Sequence, residues 1–445
     1  MIFDCFTFSE ELDVLEIRLR LLEDVVDYFV LAEAPFTFRG KPKRLAYAES
    51  GERFARWRAK IIPLVYPEEA ASDPWQNEWR QRDFLAEGLR ALAGPEDLII
   101  LSDCDEIPDP ANVGRRPEVK PIVGHRQRIS HGFINRIHES PWIGTRSLLR
   151  GTLESCGTLS EVRKRPESEL EIVDGGWHLS SFGGVDAVQK KMRTYSHSEF
   201  DLPYFTDGRR IEVKFRSERE GRWVPLDDTF PALFRDDPRW LQYVWDRSRI
   251  VDENLATALE HAHGCFAYVP QDVSTLAVAR EDADAWSSAG RERFGSRFVG
   301  VFPNVPSAAE HLEPSAWVVV DGLERESEGA FELLKSARCG VVGYVRNARS
   351  YQTFERVLGG ESFPPGPAFG IREFRELLAR HAWSPERSDR IQTGGVFVYF
   401  PNLPVMLYGV SLGNTLTLDR ISAEDLSDFI AHGTIMTWPA KGPVR

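Results

Sequence analysis

No two of the five cysteines (Cys5, Cys104, Cys156, Cys265 and Cys339) stand in a CxxC spacing, and their number is odd. That excludes a disulfide framework and a structural zinc site, and it points to a reducing compartment. No apolar run approaches the ~20 residues that cross a bilayer. The opening MIFDCFTF carries no basic segment ahead of an apolar one, so neither a membrane span nor a signal peptide is expected. Basic residues are outnumbered, 55 against 68 acidic ones, for a net charge of −13. A phosphate backbone demands a basic surface, so nucleic acid is excluded as a general partner. Internal repeats and low-complexity tracts are missing as well. The protein is expected in the cytoplasm, at most peripheral to a membrane.

What is present is a chain of 445 residues, 42% hydrophobic and 11% aromatic, which is enough for two or three packed domains. The first hundred residues alternate strand and helix signals: strands at Ile2–Phe8, Val25–Ala32, Lys60–Val65 and Leu98–Ser102, with helices at Glu10–Leu22 and Glu78–Leu92. Gly132–Ile137 and Trp142–Leu149 read as edge strands or loops over the sheet. The glycine-flanked Gly175–Gly184 reads as a tight turn, Asp186–Tyr195 as a helix, and 201–240 as an irregular loop or lid. A second α/β rhythm follows, with strands at Phe298–Phe302, Trp317–Val320, Val341–Val345 and Val396–Phe400. Phe331–Arg338 and Arg372–His381 read as the helices among them.

The chemistry concentrates in LIILSDCDEIPD, residues 98–109. An apolar strand ends on Asp103, Asp105 and Glu106, although like charges so close repel. In an open α/β sheet ligands bind at the carboxyl ends of strands, and carboxylates at i and i+2 can share one Mg²⁺ or Mn²⁺ that also takes diphosphate oxygens. The bland alternative is an ordinary N-cap and turn, since Asp, Ser and Pro populate loops without any function.

Several further stretches agree in order with one known family. FDCFTFSEELDVLEIRLRLLEDVVDYFVLAEAPFTFRGKPK (3–43), NEWRQRDFLAEGL (77–89), DLIILSDCDEIP (97–108), PWIGT (141–145), GGWHLSSFGG (175–184) and KMRTYSHSEF (191–200) together resemble glycosyltransferase family 17. The resemblance covers about residues 1–265. It implies a GT-A-type nucleotide-sugar-binding domain that moves a sugar, N-acetylglucosamine above all, from a UDP-sugar donor to a carbohydrate acceptor with inversion and with Mn²⁺ or Mg²⁺. Asp105 is the expected direct metal ligand, Asp103 reaches the metal or the donor ribose, and Glu106 supports either.

The other site residues rest on the same resemblance, each beside a plainer reading. His178 completes the metal shell or bonds the diphosphate, or else is a structural histidine. Trp177 packs on a sugar or base face. Arg82 contacts the donor, or merely pairs with Glu78 one helical turn away. Lys191, with Lys190 and Arg193, lies near the diphosphate unless it is simply solvated. Glu33 and the loop Thr37–Lys43 meet the nucleoside, or form an ordinary turn. An inverting transfer needs a base; Glu199 and Asp174 lead over Glu161 and Glu154, and the sequence does not choose between them. A GT-A-like domain that binds a nucleotide sugar or glycan without turnover is the alternative function.

The second half carries a faint likeness to the latter part of class I S-adenosylmethionine-dependent methyltransferases, in AWVVVDGLERESEGAFELLKSARCGVVGYVRNARSYQTFERVLGG and FGIREFRELLARHAW. Their glycine-rich cofactor loop is missing upstream of residue 298. The expected organisation is therefore a GT-A-like domain over 1–265, a linker over 266–294, and a smaller degenerate Rossmann-like α/β domain over 295–445 in an accessory role. Eukaryotic family members are anchored in the secretory pathway. Without an anchor, a glycolipid or surface-polysaccharide acceptor is expected here rather than a glycoprotein.

Overall fold

The computed structural model describes all residues except 91, 281–282, 314–315, 347–369, 392–395, 401–402, 408–432 and 441–445. The methyltransferase-like stretch 347–369 therefore lies outside the described residues. The chain divides into two compact units, Met1–Ser198 with Phe215–Val251, and Glu199–Lys214 with Asp252–Arg445. Each is a mixed α/β structure, consistent with a GT-A-like domain followed by a second α/β domain. Among the described residues no helix is long and apolar enough to cross a membrane.

The first unit is built on ten strands: β1 (Ile2–Phe8), β2 (Tyr28–Glu33), β3 (Ile61–Val65), β4 (Leu98–Asp103), β5 (Glu106–Pro108), β6 (Val123–His131), β7 (Arg136–Ile137), β8 (Trp142–Leu149), β9 (Glu171–Ser180) and β10 (Arg222–Trp223). Their order is β10-β7-β6-β8-β4-β1-β2-β3, and β9 pairs with both β5 and β6. Strands β4, β1, β2 and β3 run parallel, whereas β8 lies antiparallel to β4. Leu98–Leu101 are fully covered, as the unbroken apolar run of a central parallel strand requires. The expected helix at 10–22 forms as Leu12–Leu22, and that at 78–92 as Pro74–Arg90.

Two expectations fail here for one reason. Trp142–Leu149 is no edge strand: its register against β4 and β6 places it inside the sheet. Gly175–Gly184 is no tight turn. Its first half belongs to the ten-residue β9, in which Gly175 and Gly176 adopt φ values of +135° and +106°. Glycine accepts that backbone, and a Cβ on Gly176 would press against the backbone of Ile107 and Pro108 in β5. The glycines mark close strand approach rather than reversal. The span 201–240, read as irregular, holds the short helices Pro203–Thr206, Gly208–Phe215, Ala232–Asp236 and Pro238–Leu241.

Beneath the sheet runs a buried ion pair. Asp4 interrupts the apolar β1, and Arg18 interrupts the apolar stripe of the helix Leu12–Leu22; both are fully covered. Arg18 holds Asp4 through two bonds of 2.5 and 2.7 Å, and donates to the Ser102 hydroxyl at 2.6 Å. Its other nitrogen donates to the carbonyls of Asp103, Cys104 and Glu106 at 3.2, 3.2 and 2.9 Å. The turn that carries the acidic tip is thus fastened from below.

The second unit has a six-stranded sheet of β11 (Leu276–Ala279), β12 (Phe298–Phe302), β13 (Trp317–Asp321), β14 (Gly340–Arg346), β15 (Arg387–Ile391) and β18 (Gly433–Trp438), in the order β12-β11-β13-β14-β18-β15; β16 (Val396–Phe400) and β17 (Leu403–Leu407) form a separate hairpin. The stretch 266–294, read as a linker, contains β11, an interior strand with four buried residues, and the helix Asp284–Phe294. Four residues of Leu, Ala and Val are too few for a periodicity to declare itself. Strand order reverses at β11, the position where such sheets hold nucleotide cofactors. The residues do not fit one: Arg280, Glu281, Asp282 and Ala283 follow β11 in place of glycines. Arg280 is ion-paired with Asp321 at the end of β13, and His261 meets the same carboxylate at 3.0 Å.

Two outcomes are expected. Arg18→Met strands Asp4 as a buried unpaired charge and should cost about 3–5 kcal/mol, read from urea denaturation; an unchanged midpoint would exclude the anchoring role. His125, fully buried with Nε2 2.7 Å from the Ser147 hydroxyl, is pushed down to about 4 by burial and by the nearby Arg146. Between about 6.5 and about 4 the unfolded chain binds a proton that the folded one refuses. Stability should therefore fall with pH across that window by up to about 3 kcal/mol more in the wild type than in His125→Phe.

Candidate active site

Strand β4 delivers Asp103 at its carboxyl end, the fastened turn presents Asp105, and β5 begins with Glu106. The three carboxylates do not share one environment. Asp103 Oδ1 accepts from Arg82 at 2.9 Å and from Thr7 at 3.2 Å, and its Oδ2 lies 3.5 Å from Arg163. Burial alone would raise this carboxyl; Arg82 and Arg163 outweigh it and hold Asp103 well below the usual carboxylate range. Arg82 also bonds Glu78 at 2.9 Å, so the two readings of that arginine are both true of its geometry.

Asp105 faces the other way. Lys191 stands 3.1 Å from its Oδ2 and His178 Nε2 3.6 Å from the same atom. Burial again acts upward, and Lys191 and His178 pull the carboxyl far below its ordinary value. In return the ammonium of Lys191 is raised: burial would lower it, and the Asp105 carboxylate overrides that. His178 arrives through the register of β9 on β5, which sets it opposite Glu106.

Glu106 is almost fully buried and is bonded by Arg163 and, at 2.5 Å, by the indole nitrogen of Trp142. Its second oxygen accepts the backbone N–H of Asp103 at 3.1 Å, closing the turn. Gly144 makes the Trp142 contact possible, because a Cβ there would collide with both the indole nitrogen and the Glu106 carboxylate. The PWIGT stretch thus earns its glycine by steric need.

Of the expected site residues, the structure brings together Asp103, Asp105, Arg82, His178 and Lys191. Trp177 is not among them: β9 alternates, and Trp177 faces the opposite side from His178, packed partly against the hydrophobic core. Glu33 is committed locally, accepting from Lys43 at 2.7 Å and from the backbone of Ala46 and Tyr47 at 2.6 and 3.2 Å. It ties down the Thr37–Lys43 loop. Lys190 pairs with Glu10 at 2.6 Å, and the Arg193 carbonyl accepts from Arg39.

Three of the four carboxylates considered as the base are held by other partners within the first unit. Asp174 is exposed on β9, four residues before His178, and pairs with Arg126 at 3.0 Å. Glu161 serves in the capping box of the helix Leu159–Lys164, and Glu154 is exposed 3.7 Å from Arg150. Glu199 opens the segment that packs with the second unit.

Arg18, Arg163 and Trp142 are the site residues that sequence reasoning missed. Arg18 had a signal, a charge within an apolar helical stripe facing a charge within an apolar strand. Arg163 sits among other basic residues of a helix end and had none.

A divalent ion fits this arrangement at Asp105 and His178. Two ligands bonded at about 2.1 Å to one ion stand roughly 3–4 Å apart, which brackets their 3.6 Å. The remaining nitrogen of His178, Nδ1, is buried without a partner. Among the described residues no group of three or more His, Cys, Asp or Glu side chains is placed to hold a metal ion by itself. An ion would draw its other ligands from donor phosphate and water.

The fold and the cation-ringed acidic tip place a charged site at the carboxyl end of a central parallel strand. Residues 1–216 match the model of glycosyltransferase family 17. Over 115 residues it is 32% identical to the β-1,4-mannosyl-glycoprotein 4-β-N-acetylglucosaminyltransferases of Rattus norvegicus and Homo sapiens, and 31% to that of Mus musculus. Each alignment covers 24% of this chain and 21%, 22% and 21% of those proteins, so the chain spans about a fifth of their length.

Gly144→Ala should drive Trp142 and Glu106 apart. A loss of about 1–3 kcal/mol with a changed near-ultraviolet circular dichroism spectrum is expected; a variant indistinguishable from wild type would refute the packing argument.

Proposed function

We propose that the first unit is a metal-dependent inverting glycosyltransferase. It transfers N-acetylglucosamine from a UDP-sugar to a glycan, glycolipid or polysaccharide acceptor. The observation that carries this reading is the cluster of Asp105, His178 and Lys191 beside the Asp103–Arg82–Arg163 set, at the carboxyl end of a central strand. The names of the similar proteins support the sugar, and the family supports the reaction class.

The side chains divide the work. Asp105 and His178 offer the oxygen and nitrogen that would hold Mn²⁺ or Mg²⁺; when bound, such an ion neutralises charge on the departing diphosphate. Lys191 is the cation able to exchange partners, since the carboxylate it holds, Asp105, is also the proposed metal ligand. Losing that partner would leave its ammonium to the phosphate oxygens. Arg82 and Arg163 are held in place by Glu78 and Glu106, so they keep Asp103 ionised and the tip electrostatically balanced. Glu106 itself is a positioning residue, fastening the turn and orienting Trp142. Asp174 and Glu199 are the two carboxylates to test as the base. The second unit, whose switch point carries an ion pair rather than a cofactor loop, is an accessory domain in this reading.

Thermal shift with UDP plus Mn²⁺ tests the reading. Stabilisation by several degrees is expected in wild type and its loss in Asp105→Ala. UDP-sugar turnover then separates transfer from binding alone, and Asp174→Asn against Glu199→Gln identifies the base as the variant that keeps UDP binding and loses transfer by about 10²–10⁴-fold. Stabilisation that survives Asp105→Ala would overturn the site.

A further inference from the structure

Trp142 is one of the few large apolar side chains left exposed in the first unit, 39% accessible at the start of β8. A single exposed hydrophobic residue is ordinary and by itself means nothing. This one differs in how it is held. Its indole N–H is committed to the buried Glu106 carboxylate at 2.5 Å, and Gly144 is kept without a Cβ to admit that bond. Glu106 is in turn fixed by Arg163, whose guanidinium lies 5.7 Å from the Trp142 ring centre. The side chain is therefore locked in orientation while part of it stays open to solvent. A buried carboxylate thus orients a side chain that keeps 39% of its surface open to solvent.

Its place is equally specific. The Trp142 ring centre lies 5.4 Å from that of His178, tilted by 39°, and His178 is the neighbour of Asp105. An oriented aromatic side chain thus stands one ring away from the proposed diphosphate site. A pyranose ring fits such a face: its C–H bonds carry partial positive charge, the face of the indole is negative, and the apolar side of the sugar is covered without losing its hydroxyls. We propose that Trp142 is the stacking platform for a pyranose ring beside the Asp105–His178 pair, either the sugar of the donor or the terminal sugar of the acceptor. This rests on the transferase reading for its setting but not for its measurement.

The test uses full-length protein carrying 5-fluorotryptophan, with the Trp142 fluorine resonance assigned by its absence in Trp142→Phe. Methyl glycosides of N-acetylglucosamine, mannose and galactose, then UDP and UDP-N-acetylglucosamine with Mn²⁺, are titrated in turn. A sugar-dependent shift of the Trp142 resonance is expected. In Trp142→Ala, affinity for the sugar-bearing partner should weaken about tenfold, while UDP, which lacks the sugar, binds within twofold of wild type. Trp142→Phe, which keeps an aromatic face and loses the N–H, should stay within about threefold.

Loss confined to UDP-N-acetylglucosamine assigns the donor sugar; loss confined to the acceptor KM assigns the acceptor. Equal weakening of UDP itself in Trp142→Ala would mean that the tryptophan merely braces Glu106, and would overturn the proposal. So would a resonance that no saccharide moves while UDP still binds with manganese, an outcome that leaves the transferase reading standing. A saccharide-induced shift in a protein that binds no UDP would do the reverse, keeping the platform and removing the donor site.

Discussion

The first unit is organised around one buried guanidinium. Arg18 satisfies the charge of Asp4 in β1, then spends its remaining donors on the carbonyls of Asp103, Cys104 and Glu106. A buried ion pair contributes little net stability when compared with apolar residues, because desolvation offsets its attraction. Its value here is geometric. Three carbonyls bound to one planar group cannot shift independently, so the turn bearing the carboxylates is held in one shape although those carboxylates repel.

From that anchor the acidic tip divides into two electrostatic compartments. Asp103 and Glu106 look toward Arg82 and Arg163, bound in a closed set that also includes Glu78. Asp105 looks toward Lys191 and His178, with fewer partners and an unpartnered imidazole nitrogen behind them. The first compartment is structural in character and the second is adjustable. The expectation for the two was Asp105 as the direct ligand, with Asp103 reaching the metal or the donor ribose. Strand geometry separates them, since Asp103 ends β4 and Asp105 lies in the turn beyond it.

Much of the scaffold was legible locally. Ile2–Phe8, Phe298–Phe302 and Trp317–Val320 declared themselves by largely apolar runs, and Leu12, Leu15, Leu19 and Leu22 by helical spacing. Elements whose residue types answer to a partner strand were not legible. β9 contains two glycines because β5 passes close to it, and in isolation those glycines signify a turn. β11 is too short to show a period. Trp177 and His178 differ in role by a single step along a strand, which no composition reveals until the register is known.

The amino-acid sequence by itself determined an α/β chain with an acidic tip at the end of an apolar strand, because runs, periods and charge clusters are local properties. Which cations meet which carboxylates was decided only by tertiary structure. Arg82, Arg163, His178 and Lys191 come from four separate elements, between 21 and 86 residues away from the acid each one meets. Coulombic attraction acts through space, and only the folded sheet sets those distances.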